Sequence, residues 1–246
     1  MEARSVSPMQ GWKWIVDGFA LFRLSPVIWI VLFFVYLLIG MVMSKIPVVG
    51  PILLNLLAPV FMAGFMFGCR DLEKGEELEI NHLFAGFRIN TSQLITVGGL
   101  YLAGVIVIVG IVFTMTGGAG INAMSAGHMF GEDVAATAAS SGFMLAALVG
   151  LTVLVPLMMA YWFAPTLVAF HDMKAIDAMK ISFTACWRNI WPFTMYSFIS
   201  MVLMLIAAIP LGLGLLVMIP TMTASLYISY KDIFNSPPVG GGEIAM

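Results

Sequence analysis

The sequence predicts an all-α polytopic membrane protein with six transmembrane helices. Three observations predict it. The chain is 61% hydrophobic and 10% charged, with a mean hydropathy of +1.02, whereas soluble domains are about 45–50% apolar and about 25% charged. Its apolar residues fall in runs of the length a helix needs to cross a bilayer, about twenty residues. Its basic residues gather between alternate runs.

The six spans are read at 26–44, 48–68, 92–115, 142–170, 191–209 and 211–229. Each run is apolar on every face, which disfavours a β-barrel, whose strands alternate apolar and polar. The fourth is long enough to tilt or to project beyond the lipid. "AAIPLGLG" (Ala207–Gly214) supplies Pro and Gly for a tight turn between the last two.

Lys and Arg mark cytoplasmic loops. Ten of the eleven lie on one predicted side: Arg4, Lys13, Arg23, Arg70, Lys74, Arg88, Lys174, Lys180, Arg188 and Lys231. Only Lys45 falls on the other. Both termini are therefore expected in the cytoplasm. The first apolar run follows an amphipathic prelude and ends in "MSKIPVVGP" without a cleavage site, so it is not read as a signal peptide. Cys69 and Cys186 fall at cytoplasmic span ends, where a reducing compartment keeps them as thiols that serve as small packing residues.

Each odd-numbered span is preceded by an amphipathic stretch. In "GWKWIVDGFALFRLSPVIW" (Gly11–Trp29), Trp12, Ile15, Val16, Phe19 and Phe22 share a helical face, and Ser25-Pro26 makes the bend into the span. "INHLFAGFRINTSQLITVG" aligns Ile80, Leu83, Phe84 and Phe87. "MKAIDAMKISFTACWRNIWPFTMY" aligns Ile176, Met179, Phe183 and Cys186. Each ends in an aromatic-Arg pair: Phe22-Arg23, Phe87-Arg88 and Trp187-Arg188. The even spans echo one another too. "APVFMAGFMFGCRD" and "IPTMTASLYISYKD" both place a basic residue and Asp after Pro, and "APTLVAFHD" is a shorter form. One transmembrane domain over 1–235 is thus expected to hold three repeats of an interfacial amphipathic helix plus two spans, at about 1–74, 75–174 and 175–235. The middle unit carries a long outer loop, and a flexible tail follows over 236–246.

These elbows are expected to lie flat in the interface, with Trp12, Trp14, Arg23, Arg88 and Arg188 as candidate contacts to lipid headgroups. The alternative is that they rest on the bundle itself. The strongly polar mid-span side chain is Asn55, one turn from both Pro51 and Pro59. Pro59 frees the carbonyl of Asn55. Asn55 can bridge to a neighbouring helix, stabilise the bend or line a permeation path. Pro165 and Pro220 are expected to kink their spans at the same depth. Gly98, Gly99, Gly104 and Gly110 favour close helix contact.

The segments "WKWIVDGFALFRLSPVIW", "IPVVGPILLNLLAPVFMAGFMFGCRDLEKGEELEINHLFAGF" and "YKDIF" resemble an uncharacterised family of proteobacterial six-span inner-membrane proteins. More distantly, the layout resembles the membrane domain fused to some bacterial glycerophosphodiester phosphodiesterases. The resemblance implies an inner-membrane location and brings no catalytic motif.

No ionisable group stands mid-span, which argues against an ion-coupled carrier. His82, His128 and His171 are isolated, and no metal-ligand or Ser-His-Asp spacing is present. His171-Asp172 could be an acid/base pair but reads as a polar span end. No catalytic residue, metal site or cofactor is expected, and the chain is not read as an enzyme. The expected partners are membrane lipids and other membrane proteins, not nucleic acid. Two function classes follow: a membrane-organising, assembly or bilayer-sensing protein, or a passive lipid or small-molecule transporter with a cavity between the kinked even spans.

Overall fold

A computed structural model describes residues 3–116 and 141–234; the expected outer loop and tail lie outside the described residues. The described residues contain helices and no strand. In chain order they are α1 (Gln10–Leu24), α2 (Pro26–Ser44), α3 (Val49–Glu73), a 3₁₀ helix (Ile80–Arg88), α4 (Thr91–Met115), α5 (Ser141–Trp162), α6 (Ala164–His171), α7 (Ala175–Arg188), α8 (Ile190–Ala208) and α9 (Leu215–Phe234).

Five segments are long and apolar enough to cross a membrane: α2, α3, α4, the α5–α6 pair over Gly142–His171, and α8. The sixth expected span falls on α9, a helix of twenty residues that starts four residues later than the sequence indicated and is not among the five segments apolar enough to cross. Its charged end buries Thr221, Thr223, Ser225 and Ser229, which lower its apolarity below that of the other five. All four hydroxyls donate to carbonyls of the same helix: Val217 (2.7 Å), Ile219 (3.2 Å), Met222 (2.8 Å) and Leu226 (2.8 Å). Such satisfied hydroxyls can be enclosed at little cost. α9 is thus an interior helix, and a hydropathy reading undervalues it.

The turns follow the local chemistry. Ser25 leaves helical geometry (φ −149°, ψ 62°), and Pro26 starts α2. The long fourth run is broken at Phe163, just before Pro165. There a side chain enters the backbone ladder: the Phe163 N–H donates to Ser182 Oγ (2.9 Å), and Ser182 Oγ–H donates to the Met159 carbonyl (2.7 Å). The inserted hydroxyl replaces the bond these two backbone groups would make directly, which is a recognised cause of kinking. Pro59 and Pro220 sit inside α3 and α9 without ending them.

The core gathers where the lower halves of α3, α6 and α9 meet. Val60, Ala63, Met66, Cys69, Ala164, Leu167, Val168 and Ala224 are fully enclosed there. The upper halves of α2, α4, α5 and α8 carry mainly exposed apolar side chains, among them Met41, Ile106, Leu148 and Leu205. Water would not tolerate such a surface, and lipid does.

Candidate functional site

The chain's polar chemistry is concentrated at one end of the bundle, where α1, the 3₁₀ helix and α7 lie across the core. α1 rests on α9 and α8, the 3₁₀ helix on α3, and α7 on α5 and α6. In each elbow the inward face is the one with small residues. α1 buries Gly11, Trp14, Ile15, Gly18, Leu21 and Phe22. The 3₁₀ helix buries Leu83 and Gly86. α7 buries Ala175, Ala178, Ser182, Ala185 and Cys186. The contacts are backbone-close: a Cβ at Gly18 would lie 2.7 Å from the Ser225 nitrogen, and one at Gly64 of α3 would lie 2.5 Å from the His82 carbonyl oxygen.

The apolar stripes read from the sequence are largely not these inward faces. Of the stripe Trp12, Ile15, Val16, Phe19 and Phe22, only Ile15 and Phe22 point inward; Trp12, Val16 and Phe19 are exposed. Ile80, Phe84, Phe87, Ile176 and Trp187 are exposed in the other two elbows. Apolarity alone does not select the buried face in a membrane protein, because lipid accepts apolar side chains as readily as protein does. Small residues select it, since they let backbones approach.

The candidate headgroup residues separate accordingly. Trp12 is 43% exposed. Trp14 is 1% exposed, and its indole N–H donates to Asp232 Oδ2 at 2.9 Å, so it faces protein and not headgroups. Arg23 is exposed, with its guanidinium 6.0 Å from the Phe19 ring centre. Arg88 is exposed. Arg188 is exposed too, yet one guanidinium N–H donates to the Ala3 carbonyl at 3.1 Å.

The ends of α3, α6 and α9 are joined by their basic residues. Arg70 of α3 lies over the Phe170 ring of α6, 5.5 Å from its centre. His171 of α6 shares a 2.5 Å hydrogen bond with the Tyr230 hydroxyl of α9. Lys231 of α9 pairs with Glu73 of α3, which also accepts the Tyr227 hydroxyl at 2.8 Å. The contacts run from α3 to α6 to α9 and back to α3.

The aspartates beside these basic residues hold the elbows. Asp71 accepts from His82 Nε2 in the 3₁₀ helix at 3.1 Å. The backbone N–H of Glu79 lies 2.9 Å from His82 Nδ1, which fixes the ring with Nε2 facing Asp71. Asp232 binds Arg4, Gln10 Nε2 (3.0 Å) and Trp14. Asp172 accepts from Asn90 Nδ2 at 2.6 Å, so His171 and Asp172 go to different partners and do not act as a pair. Residues 3–6 form a strap: the Arg4 N–H donates to the Ile233 carbonyl (3.1 Å), and buried Asn189 accepts from the Val6 N–H (2.9 Å) and donates to the Arg4 carbonyl (2.9 Å).

Asn189, Ser182 and Ser225 carry no signal in the sequence pattern, and Asp232 stands out only as the Asp of the repeated basic-Asp pair. The spacing of Gly11, Trp14, Ile15 and Gly18 at i, i+3, i+4 and i+7 was the available signal for the α1 inner face. Burial pushes the Cys186 thiol of α7 up to about 12, against a smaller pull from Ser182.

Toward the other end the bundle opens. A cavity of about 380 Å³ is lined by Met62, Tyr101, Trp162, Tyr196, Met204 and Met222, drawn from α3, α4, α5, α8 and α9. Asn55 lies elsewhere, in a shallow recess between α2 and α3 with Tyr36 and Ser44. It is exposed, and its amide donates to the Pro51 carbonyl at 3.0 Å within its own helix. The carbonyl oxygen that Pro59 frees faces Gly98, where a Cβ would lie 2.8 Å away, so α4 crosses α3 at this bend. Among the described residues no three His, Cys, Asp or Glu side chains are placed to hold a metal.

A protein of Burkholderia thailandensis named as a probable inner membrane protein is 36% identical over 253 aligned residues, covering 96% of this chain and 93% of the relative. The chain belongs to that inner-membrane protein family. No family model matches it, and no solved structure does. The family is proteobacterial, as the resemblance implied; the comparison brings no link to glycerophosphodiester phosphodiesterases. Membership agrees with the exposed apolar helices and places the protein in the inner membrane.

Proposed function

We propose that this inner-membrane protein is a non-enzymatic, six-span organiser or sensor of the bilayer. It is built from three units of elbow plus two spans, with both termini in the cytoplasm. The observation that carries the reading is the two-sided construction of the elbows. Each buries small residues against helices of another unit and turns an apolar stripe, closed by an Arg, outward. That combination suits a helix lying in the headgroup zone of an anionic leaflet. The wrap from elbow to neighbouring unit, and the closed circuit of Arg70, His171 and Lys231, supports three units around an axis along the membrane normal.

The test is charge reversal in reconstituted protein. Each basic group near anionic headgroups contributes roughly 1 kcal/mol of attraction. Arg23→Glu and Arg88→Glu are expected to lower thermal stability more in phosphatidylglycerol bilayers than in phosphatidylcholine. Equal losses in both lipids would assign these arginines to protein contacts and sink the reading.

One observation favours a second reading, a passive transporter of lipid or small apolar molecules: the 380 Å³ cavity between α3, α4, α5, α8 and α9. Against it, Met66, Leu167 and Ala224 are fully enclosed in the core formed by α3, α6 and α9.

A further inference from the structure

A second recess lies beneath the third elbow. It occupies about 620 Å³ between Leu100 of α4, Ala160 of α5, and Ile176, Met179, Lys180 and Phe183 of α7. Its volume falls in the ordinary range of small-ligand sites, about 300–1,000 Å³. Its walls are apolar apart from Lys180 and Thr184 at the α7 side. The Lys180 side chain is exposed, and its ammonium makes no ion pair or hydrogen bond among the described residues.

The corresponding junctions under the other two elbows are filled. Beneath α1, the Trp14 ring lies 5.2 Å from Phe193 and 6.2 Å from Tyr196, both on α8. Beneath the 3₁₀ helix, Phe61 of α3 lies 5.4 Å from Phe87 and 6.3 Å from Phe84. Aromatic side chains close both. At the third junction the corresponding wall has Leu100 and Ala160, and the ring at the groove, Phe183, stacks on Trp187 of its own helix instead of on that wall.

Something apolar must occupy such a space. Water needs two to four polar partners, which these walls do not offer. With the elbows in the headgroup zone, as proposed, the junction lies one helix diameter beneath it, where acyl chains begin. An unpaired ammonium stands at its polar edge, the complement of a phosphodiester.

We propose that this groove binds a single anionic glycerophospholipid, with an acyl chain between α4 and α5 and the phosphate on Lys180. The proposal rests on the placement of the elbows at the headgroup zone and adds a defined ligand to it. Two of the three elbows are closed by their own aromatic rings, and the third is completed by lipid.

The experiment is native mass spectrometry of the detergent-purified full chain, titrated with phosphatidylglycerol or with phosphatidylcholine of the same acyl composition. The wild type is expected to bind one phosphatidylglycerol in preference. Ala160→Trp fills the groove and should weaken that adduct at least about tenfold, with Thr184→Trp as a second filling variant if Ala160→Trp does not fold. Lys180→Ala should cut phosphatidylglycerol affinity about fivefold and leave phosphatidylcholine unchanged. Undiminished lipid binding in a folded groove-filled variant, or an unchanged headgroup preference in Lys180→Ala, overturns the site. The arginine reversals read elbow placement independently. If they behave as expected while the groove variants do not, the groove alone is wrong.

Discussion

Gly18 is one of the close approaches between an elbow and the core, and its replacement by Ala gives a direct measure of how firmly α1 is seated. The new Cβ would stand 2.7 Å from the Ser225 nitrogen, 2.8 Å from its Cα and 2.8 Å from its Cβ. Two of these are backbone atoms of a buried helix, so no rotamer change relieves them. Ordinary contact begins near 3.4 Å, and α1 must therefore lift from α9 by several tenths of an ångström. That movement also loosens Trp14 from Asp232 and from Phe193. Overpacking of this kind costs about 1–3 kcal/mol. At roughly 2–4 °C per kcal/mol for a domain of this size, the melting temperature should fall by about 2–12 °C. Gly110→Ala is the internal control, because nothing lies within 4 Å of a Cβ there. The assay is thermal unfolding of both variants in one detergent. A Gly18→Ala variant that melts with the wild type and with Gly110→Ala would refute the backbone seating of α1.

Three further outcomes are expected. Asn55→Leu should lose little stability, within the ~0.6 to ~1.7 kcal/mol span of membrane side-chain hydrogen bonds, and should complement a deletion strain; a folded but inactive variant would favour transport. Cys186 has a raised thiol pKa in the folded state, so its neutral thiol favours the fold below the unfolded value of about 8.5, and that stability is lost as pH rises toward 12. Maleimide should accordingly leave Cys186 unmodified at pH 8 until the protein unfolds, and rapid labelling of native protein would contradict its enclosure. In a variant lacking the native thiols, cysteines at Lys45 and Lys74 should label from opposite faces of the membrane; labelling of both from outside intact cells would overturn the six-span topology.

The spans were readable because each is a continuous apolar run, and the boundaries of α2, α4 and α8 lie within one residue of those expected. α9 was placed less well. Its register is set by Thr221, Ser225 and Ser229 packing inward, and those residues dilute the signal that hydropathy detects. The elbows were visible as amphipathic stretches, but their orientation was not. Hydrophobic patterning assumes that the apolar face is the hidden one, and in α1 the hidden face is set by Gly11 and Gly18. Trp14 illustrates the consequence: an interfacial Trp by composition, it is a core residue by geometry, because a distant carboxylate, Asp232, receives its N–H. The "RD", "HD" and "KD" pairs were legible as a recurring pattern. That the basic member reaches sideways to another helix, while the acidic member holds an elbow or its exit, depends on tertiary proximity that no local pattern encodes.

The strap from Arg4 to the end of α9 has a bearing on biogenesis. α1 is made well before α9, yet α9 is its seat. Throughout synthesis its glycine face stays unpartnered, and the carboxylate of Asp232 that receives Arg4, Gln10 and Trp14 does not yet exist. A chain interrupted before α9 would present an unlatched elbow and an open core. The latch thus forms only once α9 has been made and meets the strap.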